Sequence, residues 1–218
     1  MPRATDVAPA FFALFLISHP AFAEFGALNF VNATGLPEKI HVRIDGAPLS
    51  TKGYAHGEFS GGLLFPAGRP IRIEANAEAC LPLTPLRVTP GPGKPQIIVF
   101  HLAAPEADAP ATSWLKAQVL PHQEPSARHS LTGLYLGTRP FVIVRVNGRD
   151  TKLCHGAPAE IWNGAGSTLA VAVPDGSVQV SLDEPGHYWS ILCDSRNGMA
   201  AHLLVPDPQY SIPVFDAE

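Results

Sequence analysis

The chain has 218 residues, of which 16% are charged, 23 are proline and 19 are glycine, and its formal net charge is −4. This length accommodates one large domain or two small ones. Proline and glycine together make up about a fifth of the chain, which is below the level typical of disorder, and they show no collagen period. No basic cluster is present, so the composition argues against binding to nucleic acid or to an anionic membrane.

The first 23 residues have the pattern of a secretory signal peptide. Arg3 provides a short basic region, residues 10–17 form an apolar run, and Ala21-Phe22-Ala23 matches an A-x-A cleavage motif. The apolar run is too short to span a bilayer. We therefore expect cleavage before Glu24, a periplasmic or secreted protein, and no membrane span after cleavage.

Two stretches with the same pattern, about a hundred residues apart, organise the sequence. Residues 40–46 read IHVRIDG and residues 142–148 read VIVRVNG. In each stretch three β-branched residues alternate with other residues, an arginine falls on the opposite face, and Asp-Gly or Asn-Gly ends the run. Period two predicts a strand buried on one face, and Asx-Gly predicts a tight turn that accepts positive φ. The repetition indicates that one β unit was duplicated.

The other apolar runs repeat one order of strands and turns in both halves. No long segment has the helical period, which argues against a parallel sheet with crossover helices. Short strands at regular spacing favour an all-β fold with two tandem small antiparallel β-sandwich (Ig-like) domains. The predicted organisation is a signal peptide at 1–23, a first sandwich at 24–104, a proline-containing linker at 105–130, a second sandwich at 131–207 and a tail at 208–218. Inside the linker, Trp114–Leu120 alternates like a short strand or a segment docked on one domain.

Because export is predicted, we expect the three cysteines to be in an oxidising compartment. They are Cys80, Cys154 and Cys193, and an odd number leaves at least one thiol unpaired within a monomer. Because Cys154 and Cys193 lie in the same half, we predict a disulfide between them. Cys80 would then be buried or paired between chains.

Histidine is frequent enough to raise the possibility of a metal site. A copper site of the cupredoxin kind uses two histidines, a cysteine thiolate and often a distant methionine. The adjacent Cys154 and His155 are the most suggestive pair, although a cysteine in a disulfide could not act as a thiolate ligand. The alternative hypothesis is therefore a copper or zinc site that draws on five residues of the second half: Cys154, His155, His187, Cys193 and His202.

Catalytic motifs are not found in the sequence. There is no G-x-S-x-G, H-E-x-x-H or glycine-rich phosphate loop, so we predict a protein that is not an enzyme and needs no cofactor. Aromatic side chains and loops often form binding surfaces. Trp189 and Ile191 are predicted to share one strand face, with Tyr188 on the other. The candidate binding residues are Tyr54, His56 and Phe59 in the long loop of the first half, and Trp162 and Tyr188 in the second.

Several of these stretches carry a resemblance to a known family. They are residues 29–33 (NFVNA), the strand at 40–44, FPAG at 65–68 with IRI at 71–73, and the run at 97–100. With the signal peptide and the proline-containing middle segment, the chain resembles the periplasmic accessory proteins of bacterial alginate O-acetylation. The single unit is also similar to bacterial extracytoplasmic sandwich domains of unknown function. The resemblance implies a non-catalytic adaptor that assists acetyl-transfer enzymes on an exported polysaccharide, and it implies no catalytic residues.

Three functional hypotheses follow, in order of preference. The first is an exported non-catalytic binding or adaptor protein, such as an accessory factor in O-acetylation or another modification of an exported polysaccharide, with an envelope protein or polysaccharide as partner. The second is an exported metal-binding protein. The third is a glycan-acting enzyme, which would require a Ser–His pair or a concave cluster of carboxylates. Function is expected off the repeated strands, in the loop at 46–62 or around Cys154-His155.

Overall fold

The computed structural model describes residues 24–93, 95–103, 113–123, 127–173, 176–194 and 200–206, with only the backbone for 200–202. The predicted signal peptide and the predicted tail lie outside these residues. Within the described part, the chain forms sixteen strands and no helix. No helix long and apolar enough to cross a membrane is therefore found among the described residues.

The first eight strands form one half of the molecule and the last eight form the other. The first half contains β1 (Phe25–Asn32), β2 (His41–Ile44), β3 (Ala47–Pro48), β4 (Leu63–Pro66), β5 (Ile71–Asn76), β6 (Leu86–Val88), β7 (Gln96–Ala103) and β8 (Trp114–Leu120). The second half contains β9 (His129–Tyr135), β10 (Phe141–Val146), β11 (Arg149–Cys154), β12 (Ala159–Gly164), β13 (Thr168–Val173), β14 (Gly176–Ser181), β15 (Gly186–Asp194) and β16 (Ala200–Pro206).

Each half is a sandwich of two four-stranded sheets, as the sequence predicts. In the first half the outer sheet has the order β3-β2-β5-β6 and the inner sheet the order β4-β1-β7-β8. In the second half the outer sheet has the order β11-β10-β13-β14 and the inner sheet the order β12-β9-β15-β16. The two halves have the same topology strand for strand, so the repeated stretches at 40–46 and 142–148 mark the same place in two copies of one fold.

Three apolar layers hold the four sheets together. The first core lies between the two sheets of the first half, and alternate residues such as Phe30 and Ile73 fill it. The second core lies between the sheets of the second half and contains Val144 and Leu192. The third layer, which we call the seam, joins the two inner sheets and is built around Trp189. The seam comprises Val31, Ala33, Ile97, Val99 and Leu120 from the first half, and Leu134, Leu136, Trp189, Ile191, Cys193 and Val205 from the second.

The central inner strands are apolar on both faces because each faces two layers. On β7, Ile98 packs in the first core while Ile97 and Val99 pack in the seam. On β15, Trp189 and Ile191 point into the seam while Tyr188 contacts the second core. The continuous apolar run at residues 97–100 therefore fits a strand that is covered on both faces. The opposite facing of Trp189 and Tyr188 is confirmed.

Two further segments form edge strands of these sheets. Residues 114–120 form β8, which pairs antiparallel with β7 and completes the first inner sheet, so the range predicted as a linker contributes a strand, as its alternation favours. The polar segment before Cys154 forms β11, which pairs with β10 along its whole length. Leu153 is the one buried residue of β11, and its mostly exposed polar neighbours suit an edge strand with one solvated face.

One strand pair in each half runs parallel. β1 pairs parallel with β7, and β9 pairs parallel with β15. These two pairs are exceptions to the antiparallel sandwiches that the sequence predicts. A hairpin forces antiparallel pairing only on strands joined by a short turn, whereas the chain between β1 and β7 passes through the outer sheet and back. The crossover is made of strands, so its sequence carries no helical period.

The two Asx-Gly turns adopt the same geometry. Asp45 and Asn147 have φ values of 49° and 46°, and the glycines that follow have 84° and 85°. The side-chain oxygen of Asp45 accepts from Arg72 N at 2.9 Å, and that of Asn147 accepts from Ala170 N at 3.0 Å. The Asx residue therefore supplies both the left-handed backbone and a bond to the neighbouring strand.

Replacing Asn147 with alanine should lower the free energy of unfolding by about 1–2 kcal/mol, because alanine is strained at positive φ and loses the bond to Ala170 N. Asn147→Asp is the matched control, since the first half places aspartate at this point, and it should cost less than about 0.5 kcal/mol. Urea unfolding followed by circular dichroism measures both values. Equal losses in the two variants would contradict this role of the side chain.

The predicted Cys154–Cys193 disulfide is not formed. Cys154 lies exposed at the end of β11, opposite Phe141 in the second outer sheet. Cys193 is buried in the seam, on the face of β15 that points away from the second core. The two thiols therefore belong to different sheets and face away from each other, whereas a disulfide requires Cβ atoms about 4 Å apart that point towards each other. Sharing one half of the chain does not bring them together.

The three thiols should differ in reactivity. Burial, with a smaller contribution from Asp194, raises the pKa of the Cys193 thiol to about 12, and Cys80 is also buried. We expect a maleimide reagent to label Cys154 rapidly in the native protein and all three cysteines in urea, because the accessible thiolate is the reacting form. Peptide mass mapping of the labelled protein would identify the sites. Fast native labelling of Cys193 would contradict the buried seam.

Candidate functional site

A cleft of about 330 Å³ opens at one side of the seam. Its first wall comes from the first half, namely β1, β7 and the residues just before β4. Its second wall comes from the second half, namely the turn into β15 and the end of β16. We call this site the seam cleft. Its volume lies in the range of small-ligand sites, which commonly form where two domains meet.

The loop before β4 carries an exposed aromatic side chain of the cleft. Backbone bonds fix this loop to the end of β1, with Gly57 N donating to Asn32 O at 2.8 Å and Ser60 N donating to Phe30 O at 3.0 Å. Phe59 lies in this anchored loop, and 55% of its surface is exposed. A large apolar ring held in the open by a well-bonded loop is more typical of a binding surface than of a core.

The turn before β15 forms the opposite rim. The hydroxyl of Tyr188 donates to Glu184 O at 2.7 Å and accepts from Glu184 N at 3.1 Å. The side chain thus closes the turn onto its own strand while its ring contacts the second core. Tyr188 therefore fixes the position of Glu184 and Pro185, which line the cleft.

Asn29 places an unsatisfied donor at the cleft. It lies on β1 between Ala27 and Val31, on the seam-facing side, and is 7% exposed. Its Nδ2 is buried and has no hydrogen-bond partner among the residues that the structure describes. A buried amide left unpaired costs about 1–3 kcal/mol. A ligand that brings an acceptor to this nitrogen would remove that cost.

A histidine of the cleft is held by a buried serine. His187 lines the cleft near the start of β15, and its Nδ1 makes a short hydrogen bond with Ser130 Oγ of the neighbouring strand β9. Ser130 is 3% exposed. The bond fixes the orientation of the imidazole ring in the cleft wall.

The cleft has little charge. Glu184 is the one lining residue with a formal charge in the described part of the chain, and no lysine or arginine lines the cleft there. The rest of the wall is mainly apolar, from Val31, Ile97, Val205 and the ring of Phe59. An anionic ligand would meet a carboxylate and no cation in this wall, so its charge disfavours anionic ligands.

The loop equivalent to the Phe59 loop packs differently in the second half. It lies between β11 and β12, and its Gly156 O accepts from Gln118 Nε2 at 2.9 Å. His155 Nδ1 donates to Gly137 O at 2.8 Å, and the His155 ring contacts those of His101 and Tyr135. This side of the seam is therefore occupied by the protein's own side chains. The two equivalent loops therefore differ, and the seam cleft lies on the Phe59 side.

His101 is buried in this second contact region. It lies on the seam-facing side of β7 and is 7% exposed. Burial lowers the pKa of His101 to about 4, opposed by its bond to Leu102 O, and the nearby His155 and Lys116 lower it further. The neutral imidazole therefore predominates at neutral pH.

The residues of the predicted metal site are distributed over three places. Cys154 and His155 lie at the end of β11, with the His155 ring against those of His101 and Tyr135; His187 lies in the seam cleft, and Cys193 is buried in the seam. The side chain of His202 lies outside the described residues. Across the described residues, no group of three or more His, Cys, Asp or Glu side chains could hold a metal ion.

Of the predicted binding residues, the structure brings Phe59 and Tyr188 together at the seam cleft. Tyr54 pairs through its backbone with Ile40 and packs against the first core. His56 accepts from Gly35 N through Nδ1 at 3.1 Å, and burial lowers its pKa. Trp162 packs against the second core from β12. These three side chains stabilise loops or cores and do not line the cleft.

A scan against protein-family models finds no match for the chain, and a search of curated proteins finds none either.

Proposed function

We propose that the protein is an exported, non-catalytic binding or adaptor protein whose ligand site is the seam cleft. The observation that carries this proposal is the combination of an apolar cleft, the exposed Phe59 ring and the unpartnered amide of Asn29 at the junction of two sandwiches. Two sandwiches joined through a packed apolar layer form a rigid support, and rigid supports preorganise binding sites.

The proposed setting is the modification of an exported polysaccharide. The signal-peptide pattern supports a periplasmic or secreted location, and the resemblance to accessory proteins of alginate O-acetylation supports a role beside acetyl-transfer enzymes. In this setting the protein would hold an envelope protein or the polysaccharide, and other proteins would perform the chemistry.

Nuclear magnetic resonance tests the site directly. The ¹⁵N-labelled protein is titrated separately with maltohexaose, with a hexamer of β-1,4-mannuronate and with uncharged apolar heptapeptides. A ligand of the seam cleft should shift the amide signals around Phe59, Asn29 and Gly186. The same titration with Phe59→Ser should show weaker binding by about tenfold, the loss of about 1.4 kcal/mol. If none of the three probes shifts these signals, the seam cleft is not the binding site.

The hydrogen bond between Ser130 and His187 supports one other function, that of an ester-hydrolysing or acyl-transferring enzyme acting on a glycan. In such enzymes a histidine removes the proton of a serine that attacks the acyl carbon. Against this, Ser130 is 3% exposed, whereas a nucleophile must reach its substrate. The arrangement fits better with a serine that orients the histidine.

Hydrolysis of p-nitrophenyl acetate separates the two functions. Catalysis would appear as turnover in the wild-type protein that falls at least about 10³-fold in Ser130→Ala. The binding function predicts the uncatalysed rate for both proteins, with probe binding in the wild type. Ser130-dependent turnover would overturn the non-catalytic proposal.

A further inference from the structure

Beside the seam cleft lies a sheet edge with large exposed apolar side chains. The edge strand of the first inner sheet is β4, which pairs only with β1 in the described part of the chain. Leu63 and Phe65 of β4 pack against the first core. Leu64 points to the other face, pairs with Ala27 and is 58% exposed.

Two phenylalanines extend this apolar surface. Phe25 begins β1 on the same face as Ala27 and is 41% exposed, and Phe59 is 55% exposed in the loop that leads to β4. We call Phe25, Phe59 and Leu64 the edge patch. Phe59 belongs both to the edge patch and to the wall of the seam cleft.

The equivalent edge in the second half is protected. There β12 occupies the same place in the sheet order as β4. It carries Glu160, and its register with β9 shifts between Glu160 and Trp162. Charges and bulges on edge strands prevent pairing with other chains. β4 reads Leu63-Leu64-Phe65-Pro66 and has neither a charge nor a register shift in its pairing with β1. Pro66 ends β4 and has no N–H, so the edge that a partner's backbone can reach is confined to residues 63–65. Of the two equivalent inner-sheet edges, β4 is the one without a charge or a register shift.

Three features define the chemistry of the occupant. The open edge can hydrogen-bond to an extended backbone, and the edge patch can contact apolar side chains on alternate residues. Asn29 Nδ2 offers a donor that a backbone carbonyl could satisfy. Glu184 is the one charged residue found in the described cleft wall, which disfavours an acidic segment.

We propose that β4 and the seam cleft together bind an extended, uncharged apolar segment of a partner protein, which adds to the first inner sheet as a strand. This inference rests on the proposed binding function and names its partner class. The segment runs along β4 and places a side chain in the seam cleft past Gly61, where a Cβ would meet no atom within 4 Å. A second copy of this chain fits less well, because a two-fold contact would set cleft against cleft and leave both unfilled.

The experiment uses a random heptapeptide library displayed on phage and selected on the full protein. We expect the selected sequences to be uncharged, with β-branched or aromatic residues at alternate positions. The best sequence is synthesised and its affinity measured by calorimetry. Leu64→Lys should raise its Kd by at least about tenfold, because a charge on an edge strand opposes strand addition. Asn29→Asp should also raise the Kd, since a carboxylate repels a carbonyl oxygen.

Val178→Lys is the matched control. Val178 lies on β14, an uncharged edge strand of the second outer sheet, and is 39% exposed. Val178→Lys should change the Kd for the selected peptide by less than about twofold. Because Leu64 and Val178 are both solvent-exposed, both variants should keep the circular dichroism and melting temperature of the wild type. Equal effects of the two substitutions would overturn the proposal.

Two other outcomes would also overturn it. Sedimentation that shows a concentration-dependent dimer abolished by Leu64→Lys would make a second copy the occupant. Shifts of the seam-cleft signals by maltohexaose, with none by the selected peptide, would make a glycan the occupant. In that last case the proposed binding function stands and only the partner class is wrong. If no probe shifts those signals, the binding function itself fails.

Discussion

Replacing Trp189 with alanine should lower the free energy of unfolding by about 3–5 kcal/mol, the usual cost of removing a buried tryptophan side chain. Trp189 is 0% exposed and stands in the seam among residues from both inner sheets, such as Val99 and Leu134. The indole is the largest fully buried side chain in the described structure. Without it the seam would contain a cavity that neither rigid sheet can close, because strand pairing fixes the positions of both backbones.

Urea unfolding followed by circular dichroism measures this loss. Trp114→Ala is the matched control, because Trp114 lies on the edge strand β8 and is 37% exposed. It should cost less than about 1 kcal/mol. Each half also has a core of its own, so a weakened seam should let the halves unfold in separate steps. A small loss in Trp189→Ala, similar to that of Trp114→Ala, would show that the seam contributes little.

The sequence predicts the two sandwiches because their information is local. Period two, Asx-Gly turns and the repetition of 40–46 at 142–148 locate most strands, and they also reveal the duplication. The parallel pairs β1–β7 and β9–β15 could not be found in this way. Pairing between strands that are distant in sequence depends on which faces must be buried, and a single sequence does not state this.

The site depends on how the two halves pack, so only part of it can be predicted. Phe59 was identified as an aromatic residue of a long loop and Tyr188 as an aromatic residue of a strand, and both line the seam cleft. Asn29 was missed, although a signal exists: it is a polar residue on the β1 face that otherwise bears Ala27 and Val31. The Cys154–Cys193 disulfide was predicted from proximity in the chain. It is not formed, because β11 and β15 belong to different sheets and the two thiols face opposite ways.

The stability of the protein should decrease as the pH falls from about 6.5 to 4, with His101 contributing about 3 kcal/mol of the decrease. Burial lowers the pKa of His101 from 6.5 to about 4 in the folded protein. Between these two pH values the unfolded chain binds a proton that the folded protein does not. Acid therefore favours the unfolded state, and this contribution to stability is fully present above pH 6.5 and absent below pH 4.

His101→Gln isolates this effect, since glutamine does not titrate. Its free energy of unfolding should decrease less steeply with acid than that of the wild type, by up to about 1.4 kcal/mol per pH unit between pH 6.5 and 4. The matched control is His41→Gln, which makes the same substitution at an exposed histidine on β2. His155 and Lys116 face His101 from the second half and from β8, and both lower its pKa. Removing the charge in Lys116→Met should therefore move the His101 transition to higher pH. Parallel pH profiles for the wild type and His101→Gln would mean that His101 is hydrated in the folded protein and that this side of the seam is open to water.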